Sequence, residues 1–376
     1  MTERISRYLR EQQPETPCLV IDLDVVENNY RRMRELLPAA HIFYAVKANP
    51  ADKILTRLGG LGSKFDTASR GEIELVQAAG VSVDRISFGN TIKKEKDIAW
   101  AYQQGVRLFA FDSEAELQKL VRVAPGAKVF CRVLVDCGGA EWPLSKKFGC
   151  APEMAKDLLR KAKDWGLDAY GISFHVGSQQ TDLEQWDKAL SQVSQMFFAL
   201  AEEGVDLRMV NLGGGFPARY RAEINSLDAY CEAVTRALVR HFGNRMPEVI
   251  IEPGRSMVGD AGVIQSEVVL VSRKAANDRK RWVYLDIGKF SGLAETMGES
   301  IKYRLRTARD GTRVGPVVLA GPTCDSADIL YEKTEYKLPL SLKPGDKVEI
   351  LATGAYTTTY SSVAFNGFAP LKAICI

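Results

Sequence analysis

Phe43-Tyr44-Ala45-Val46-Lys47-Ala48-Asn49-Pro50 is an apolar run that carries a single lysine at its end and is then broken by Asn-Pro. It reads as a short buried strand that stops at residue 49. A lysine there has two fates. It can run its stem along the surface into water, or it can sit partly desolvated in a pocket, its amine pKa pulled below the ordinary ~10.4. The second state makes a lysine amine a nucleophile toward a carbonyl carbon. The run alone leaves both open.

Outward from it, similar runs recur at residues 42–47, 63–66, 85–88, 108–111, 128–135, 169–176, 208–212 and 248–252, with amphipathic stretches such as 71–79, 114–123, 152–165, 183–203 and 227–241 between them. Strand-like runs alternating with helix-like ones predict an α/β chain folded as a parallel (β/α)8 TIM-type barrel. A doubly wound open sheet is the alternative, but no GxGxxG follows the first strand. After about residue 260 the texture changes to β-like runs at 263–271, 282–286, 315–320, 347–351 and 368–376, separated by turns. The expected organisation is an N-terminal segment 1–25, polar over 1–16 and then a strand joining the β-domain, a barrel over 26–258, and an all-β domain over 259–376.

Composition narrows the function. Lys plus Arg number 50 against 47 for Asp plus Glu in 376 residues, and a net charge of +3 is too small to imply a nucleic-acid or acidic-membrane partner. The start is charged and no apolar run reaches ~18 residues, so neither a signal peptide nor a membrane span is expected. Cys18, Cys131, Cys137, Cys150, Cys231, Cys324 and Cys375 are scattered without a CxxC pair, which fits a reducing, cytoplasmic setting. His41, His175 and His241 are not at ligand spacing, so no metal centre is expected.

The barrel strands' carboxyl ends all point to one face, where such enzymes keep their sites. Lys47, Asp66, Asn90, Asp112, Arg132, His175, the run Gly213-Gly214-Gly215 and Glu252-Pro253-Gly254-Arg255 fall there. Three glycines leave backbone N–H groups open to an anion, with Arg255 as a nearby cation; a tight turn would explain one glycine but not three. A phosphate cradle plus a strand-end lysine suggests pyridoxal 5′-phosphate, with Glu252 on the pyridine nitrogen. His175 is either a partner over the ring face or a satisfied core histidine. In Cys324-Asp325, a thiol can deliver a proton and the carboxylate can select a cationic tail; an ordinary loop cysteine is the plainer alternative.

Residues 44–49 (YAVKAN), 65–69 (FDTAS), 174–178 (FHVGS), 213–217 (GGGFP), 252–255 (EPGR), 321–328 (GPTCDSAD), 354–357 (GAYT) and 365–368 (FNGF) resemble the group IV pyridoxal-phosphate decarboxylases, and among them ornithine decarboxylases. The resemblance spans nearly the whole chain. It implies an alanine racemase-like (fold type III) barrel with a C-terminal β-domain, a head-to-tail homodimer with shared active sites, and conversion of L-ornithine to putrescine and carbon dioxide in polyamine biosynthesis. Lys47 would form the imine, with Asp66 and Arg132 beside it and His175 stacked on the ring. Ser178, Gly213, Gly214, Gly215, Pro253, Gly254, Arg255 and Tyr356 would hold the cofactor, and Glu252 the pyridinium. From the partner subunit, Cys324 would be the proton donor and Asp325 would hold the substrate's distal ammonium, with Phe365 also at the substrate. Lys147 and Asp328 would join subunits. Racemases of the same architecture differ in placing an arginine on the pyridine nitrogen.

Residues 286–299 depart from the family pattern where a specificity helix lines the distal pocket. Glu295 is the candidate second contact for the distal ammonium, with Glu299 behind it. A lysine or dual lysine/ornithine decarboxylase is the alternative, since one methylene is discriminated by only ~1–3 kcal/mol. A D-amino-acid decarboxylase and a non-catalytic regulator also stand as readings; diaminopimelate is disfavoured because its distal carboxylate would meet Asp325.

Overall fold

The computed structural model describes residues 1–135, 138–142, 147–363 and 370–376. The chain divides into two compact units, one of Glu27–Pro217 and Ile224–Gly254, the other of Met1–Val26, Ala218–Glu223 and Arg255–Ile376.

In the first unit, among the described residues, eight parallel strands close into a barrel in chain order: Ala40–Ala45, Lys64–Thr67, Ile86–Phe88, Leu108–Phe111, Lys128–Arg132, Asp168–Ser173, Met209–Asn211 and Glu248–Ile251. This is the (β/α)8 architecture expected. The strands read as unbroken apolar runs because both faces are covered, one by helices and one by the barrel interior. Phe43, Ala110, Phe130, Met209 and Ile250, from five different strands, pack into one core cluster. Closure brings backbones near one another, and a Cβ at Gly171 would lie 2.1 Å from the Met209 carbonyl oxygen. Helix starts follow local chemistry. Ser69 Oγ accepts from Glu72 N–H at 3.3 Å and the Glu72 carboxylate accepts from Ala68 N–H at 2.6 Å, fixing the start of Arg70–Ala78 and the direction in which the preceding strand ends.

The second unit is a sheet in the order Arg304–Thr307, Lys347–Leu351, Gly262–Ser272, Arg281–Leu285, Val314–Ala320, Ile329–Pro339. Cys18–Ile21 pairs antiparallel with Gly262–Ser272 and parallel with Lys372–Cys375. Three features correct the sequence reading. Residues 1–16 are not simply a polar segment: Glu3–Gln12 is a helix capped by Thr2, whose buried Ile5 and Leu9 pack on Cys18, Val20 and Val263. Arg304–Thr307 and Ile329–Pro339 are strands the reading lacks, because their charged, solvent-facing positions dilute the apolar signal. Ala218–Glu223 and Arg255–Val258, counted with the barrel in sequence, lie in the sheet unit, where Arg221 N–H donates to the Lys302 carbonyl at 3.0 Å and Arg255 finds its partners. Among the described residues no helix is long and apolar enough to cross a membrane.

Candidate active site

The strand Ala40–Ala45 runs into a 3₁₀ turn, Val46–Ala48. Tyr44 Oη donates to the Asn49 carbonyl at 2.9 Å, Asn49 Oδ1 accepts from Ala51 N–H at 3.1 Å, and Ala45 N–H donates to the Pro253 carbonyl at 3.1 Å. These bonds pin the turn on both sides. Val46 and Ala48 are buried, and Lys47 between them is exposed. Its charge acts on the buried groups Asp66, His175 and Glu252.

Those groups are short of solvent. Asp66 is buried on its strand, and Ser87 Oγ donates to its Oδ1 at 3.2 Å. Gly89 makes the room: a Cβ there would lie 1.9 Å from Asp66 Oδ1. Burial raises the Asp66 pKa, with Lys47, Ser87 and Arg132 pulling the other way. Glu252, one residue past its strand, accepts from Asn211 Nδ2 at 2.5 Å. Burial pushes it up first and the Asp66 charge adds to this, while Asn211, Lys47 and Arg132 oppose; the outcome is about 7. Two buried carboxylates, one of which raises the other, make a place for a cation.

Arg132 closes its strand with the guanidinium 5.2 Å above the Phe148 ring. Burial lowers its pKa, and Glu252, Asp112 and Asp66 favour its charge. His175 accepts at Nδ1 from Gly177 N–H at 2.9 Å, so the ring is neutral with its proton on Nε2. Burial sets its pKa well below the ordinary range, and the charges of Arg132 and Lys47 reinforce this.

The glycine run cannot carry side chains. A Cβ at Gly213, where φ is +63°, would lie 2.4 Å from the Phe174 carbonyl oxygen, and one at Gly214 would lie 2.8 Å from that of Glu252 and 3.6 Å from His175 Nε2. Gly215 has φ +100°, and its Cβ would press on Val176 and Gly177. Gly213 N–H donates to Asn211 Oδ1 at 2.9 Å, so that donor is already used within the protein. A phosphorylated pyridine fits this set: a glycine run without side chains suits the phosphate, buried Glu252 and Asp66 suit a protonated ring nitrogen, neutral His175 is a ring face, and Lys47 supplies an amine.

The sheet unit holds a second cluster. Arg255 is 4% exposed; Nη1 donates to Glu295 Oε2 at 2.7 Å and to Tyr220 Oη at 2.6 Å, and Nη2 donates to Glu295 Oε1 at 2.5 Å. The Tyr356 ring lies 4.8 Å from the guanidinium carbon. Burial works against the Arg255 charge, but Tyr220 and Glu295 outweigh it and hold its pKa above the ordinary value.

The structure therefore brings Lys47, Asp66, Arg132, His175, Gly213–Gly215 and Glu252 into one neighbourhood, and it gives three other expected site residues partners within the chain. Glu295, read as a contact to a distal ammonium, gives both oxygens to Arg255. Glu299, placed behind it, instead accepts from the backbone N–H groups of Glu332, Lys333 and Thr334 at 2.8, 2.8 and 2.6 Å. Burial pushes its carboxyl up, and these bonds overcome that to set it at about 2. Asp328, read as a subunit joint, is 2% exposed and accepts from Lys289 N–H at 2.8 Å, Thr323 N–H at 3.1 Å and Thr323 Oγ1 at 2.6 Å. Gly288 and Gly321 admit it: a Cβ at either would lie 2.1 or 2.3 Å from its oxygens.

Lys147 is exposed, with its amine 5.0 Å from the Phe148 ring. Ser178 opens the short strand Ser178–Gln180, and Cys324 and Asp325 are exposed at a turn. Phe365 lies outside the described residues. Sequence reasoning gave no role to Asn211, Ser87 or Gly89. The signal for Asn211 was a strand-end amide two residues before a glycine run; Ser87 and Gly89 carry a signal only once their strand is known to lie beside that of Asp66.

The family described as pyridoxal-dependent decarboxylase, pyridoxal binding domain, matches residues 23–259. A lysine/ornithine decarboxylase of Selenomonas ruminantium is 37% identical over 369 residues, 98% of this chain and 91% of the relative. The lysine/ornithine decarboxylase of Vibrio vulnificus, solved with cadaverine, superposes with a TM-score of 0.88 at 31% identity over 99% of this chain and 97% of the other; it is also solved with putrescine, at a TM-score of 0.86. The arginine decarboxylase of Paramecium bursaria Chlorella virus, bound to agmatine, has a TM-score of 0.91 at 28% identity, covering 100% of both chains.

Proposed function

The chain belongs to the pyridoxal-dependent decarboxylases that act on basic amino acids, with pyridoxal 5′-phosphate as cofactor, and from that premise we propose that it converts L-ornithine to putrescine and carbon dioxide. The observation that carries the reading is Lys47, whose charge acts on the buried carboxylates Asp66 and Glu252 at the carboxyl ends of the barrel strands. A specific observation favours L-lysine as a second substrate: the similar Vibrio vulnificus enzyme is solved with both cadaverine and putrescine.

When bound, pyridoxal phosphate supplies the electron sink that lets the bond between the substrate's α-carbon and its carboxylate break. The residues of this chain bind, orient and protonate. Lys47 would hold the cofactor's carbonyl carbon through its amine. Glu252 would keep a proton on the ring nitrogen, a charge-assisted bond of ~1.5–3 kcal/mol, with Asp66 and Arg132 setting the field around it. Gly214 and Gly215, with Ser178, would hold the phosphate, and His175 would present its neutral face to the ring.

Cys324 and Asp325, exposed at their turn, would serve the site of a second copy, the thiol returning a proton to the α-carbon and the carboxylate pairing with the distal ammonium. Lys147 would contact the partner subunit. A thiol in that role must stay reduced, which suits a cytoplasmic homodimer.

The test is a product assay on the purified chain with pyridoxal phosphate, given L-ornithine, L-lysine, L-arginine or diaminopimelate separately, the amine identified by mass. Putrescine as the main product supports the reading, cadaverine at equal efficiency makes the enzyme dual, and agmatine alone or no amine overturns it. Mixed Lys47→Ala and Cys324→Ala chains should regain activity if sites are shared; no recovery after subunit exchange overturns the sharing.

A further inference from the structure

Asn211 is 2% exposed at the end of the strand Met209–Asn211, and its amide is spent at both ends. Nδ2 donates to Glu252 Oε1 at 2.5 Å, and Oδ1 accepts from Gly213 N–H at 2.9 Å. The orientation follows from the partners. A carboxylate oxygen needs a donor and a backbone N–H needs an acceptor, so flipping the amide would break both bonds at once.

The backbone around it is equally determined. Phe174 N–H donates to the Asn211 carbonyl at 3.0 Å, Leu212 N–H donates to the Ile250 carbonyl at 2.9 Å, and Glu252 N–H donates to the Gly213 carbonyl at 2.7 Å. Asn211 thus stands between the strand that delivers Glu252 and the turn that opens the glycine cradle. Aspartate could serve the Gly213 bond but not the Glu252 bond; alanine could serve neither.

We propose that Asn211 is a positioning residue that ties the two ends of the cofactor site to one side chain: its N–H aims Glu252 at the ring nitrogen, and its oxygen sets the Gly213 turn so that Gly214 and Gly215 face the phosphate. This rests on the pyridoxal-phosphate reading of the site. Asp66, Lys47 and Arg132 act on Glu252 through their charges, whereas Asn211 holds it by a hydrogen bond.

The experiment compares wild type, Asn211→Asp and Asn211→Ala as full chains, with two readouts that do not depend on turnover. One is the pKa of Glu252 in the cofactor-free chain, followed by carboxyl NMR and assigned with Glu252→Gln. The other is the ratio of affinities for pyridoxal phosphate and pyridoxal, which isolates the phosphate end. Asn211→Ala is expected to raise the Glu252 pKa and to cut the preference for the phosphorylated form about 10-fold or more, as loss of a buried bond at that end requires. Asn211→Asp, which keeps the acceptor and adds a like charge, is expected to raise the Glu252 pKa further while leaving the phosphate preference within about twofold of wild type.

A Glu252 pKa unchanged in both variants, or an equal loss of phosphate preference in both, overturns the proposal. Should Asn211→Ala fail to fold, Asn211→Asp decides by the same two readouts. A wild-type chain that bound pyridoxal phosphate but made no amine would overturn the substrate reading alone, with the Glu252 titration still deciding the role of Asn211.

Discussion

The two units each bury a cluster of charge, and the clusters are built in opposite senses. In the sheet unit Arg255 and Glu295 meet fork to fork, so that both carboxylate oxygens are paired, and Tyr220 accepts a further bond from the arginine. In the barrel, burial raises both Asp66 and Glu252, the Asp66 charge adds to the cost at Glu252, and Lys47 and Arg132 offset only part of it. In a pair such as Arg255–Glu295 each charge answers the other, and the fold loses stability when either partner is removed. A pair of crowded carboxylates stabilises little until a cation arrives, which is the property a cofactor site needs. The contrast also explains the misreading of Glu295: sequence offers an acid near a pocket, but not whether an arginine already holds it.

Four substitutions would sharpen or break this contrast. Lys47→Ala should lower amine production by about 1,000-fold or more, equivalent to ~4 kcal/mol of barrier. Near-normal turnover by steady-state assay would remove the lysine from the chemistry. Glu295→Ala should destabilise the chain by ~3–5 kcal/mol in denaturant or thermal unfolding, since it strands a buried guanidinium. A melt unchanged from wild type would return Glu295 to the substrate and make the two clusters alike.

Glu252→Gln should lower turnover by roughly 10- to 100-fold through loss of a charge-assisted bond. It should also alter the pH dependence of stability. With a folded pKa of about 7 against an ordinary 4.5, native Glu252 retains a proton that the unfolded chain has lost between those values. Cofactor-free stability therefore falls as pH rises through that window, and glutamine should flatten the fall. A slope identical to wild type counts against the crowded-carboxylate account. The smallest effect belongs to Glu299→Gln, about 1–2 kcal/mol by thermal unfolding near neutral pH. Its wild-type contribution is present above the ordinary carboxylate pKa and is lost as pH falls toward about 2, so the variant and wild type should converge in acid.

Much of the barrel was legible because its strands are apolar on both faces and because chemistry sits where they end. Lys47, Asp66, Arg132 and Glu252 could be found from that one rule. The Gly213 run was legible for a related reason, as φ of +63° and a Phe174 oxygen 2.4 Å from any Cβ exclude side chains. What stayed hidden depends on neighbours distant in sequence. Asn211 reaches Glu252 across 41 positions, and Arg255 reaches Glu295 across 40. Asp328 looked like a surface acid because the glycines that admit it, Gly288 and Gly321, give no local sign of a buried carboxylate between them. Ile329–Pro339 was missed because Glu332, Lys333, Glu335 and Lys337 face solvent while Tyr331 and Tyr336 stack beneath, 4.4 Å between ring centroids.

The most direct test of the central claim is the pKa of the Glu252 carboxyl in the cofactor-free chain and again with pyridoxal phosphate bound. A value of about 7 without cofactor, falling clearly when the cofactor is added, is the result the crowded-carboxylate account predicts. An ordinary carboxylate value in both states would contradict it, and would remove the contrast with the paired charges of Arg255 and Glu295.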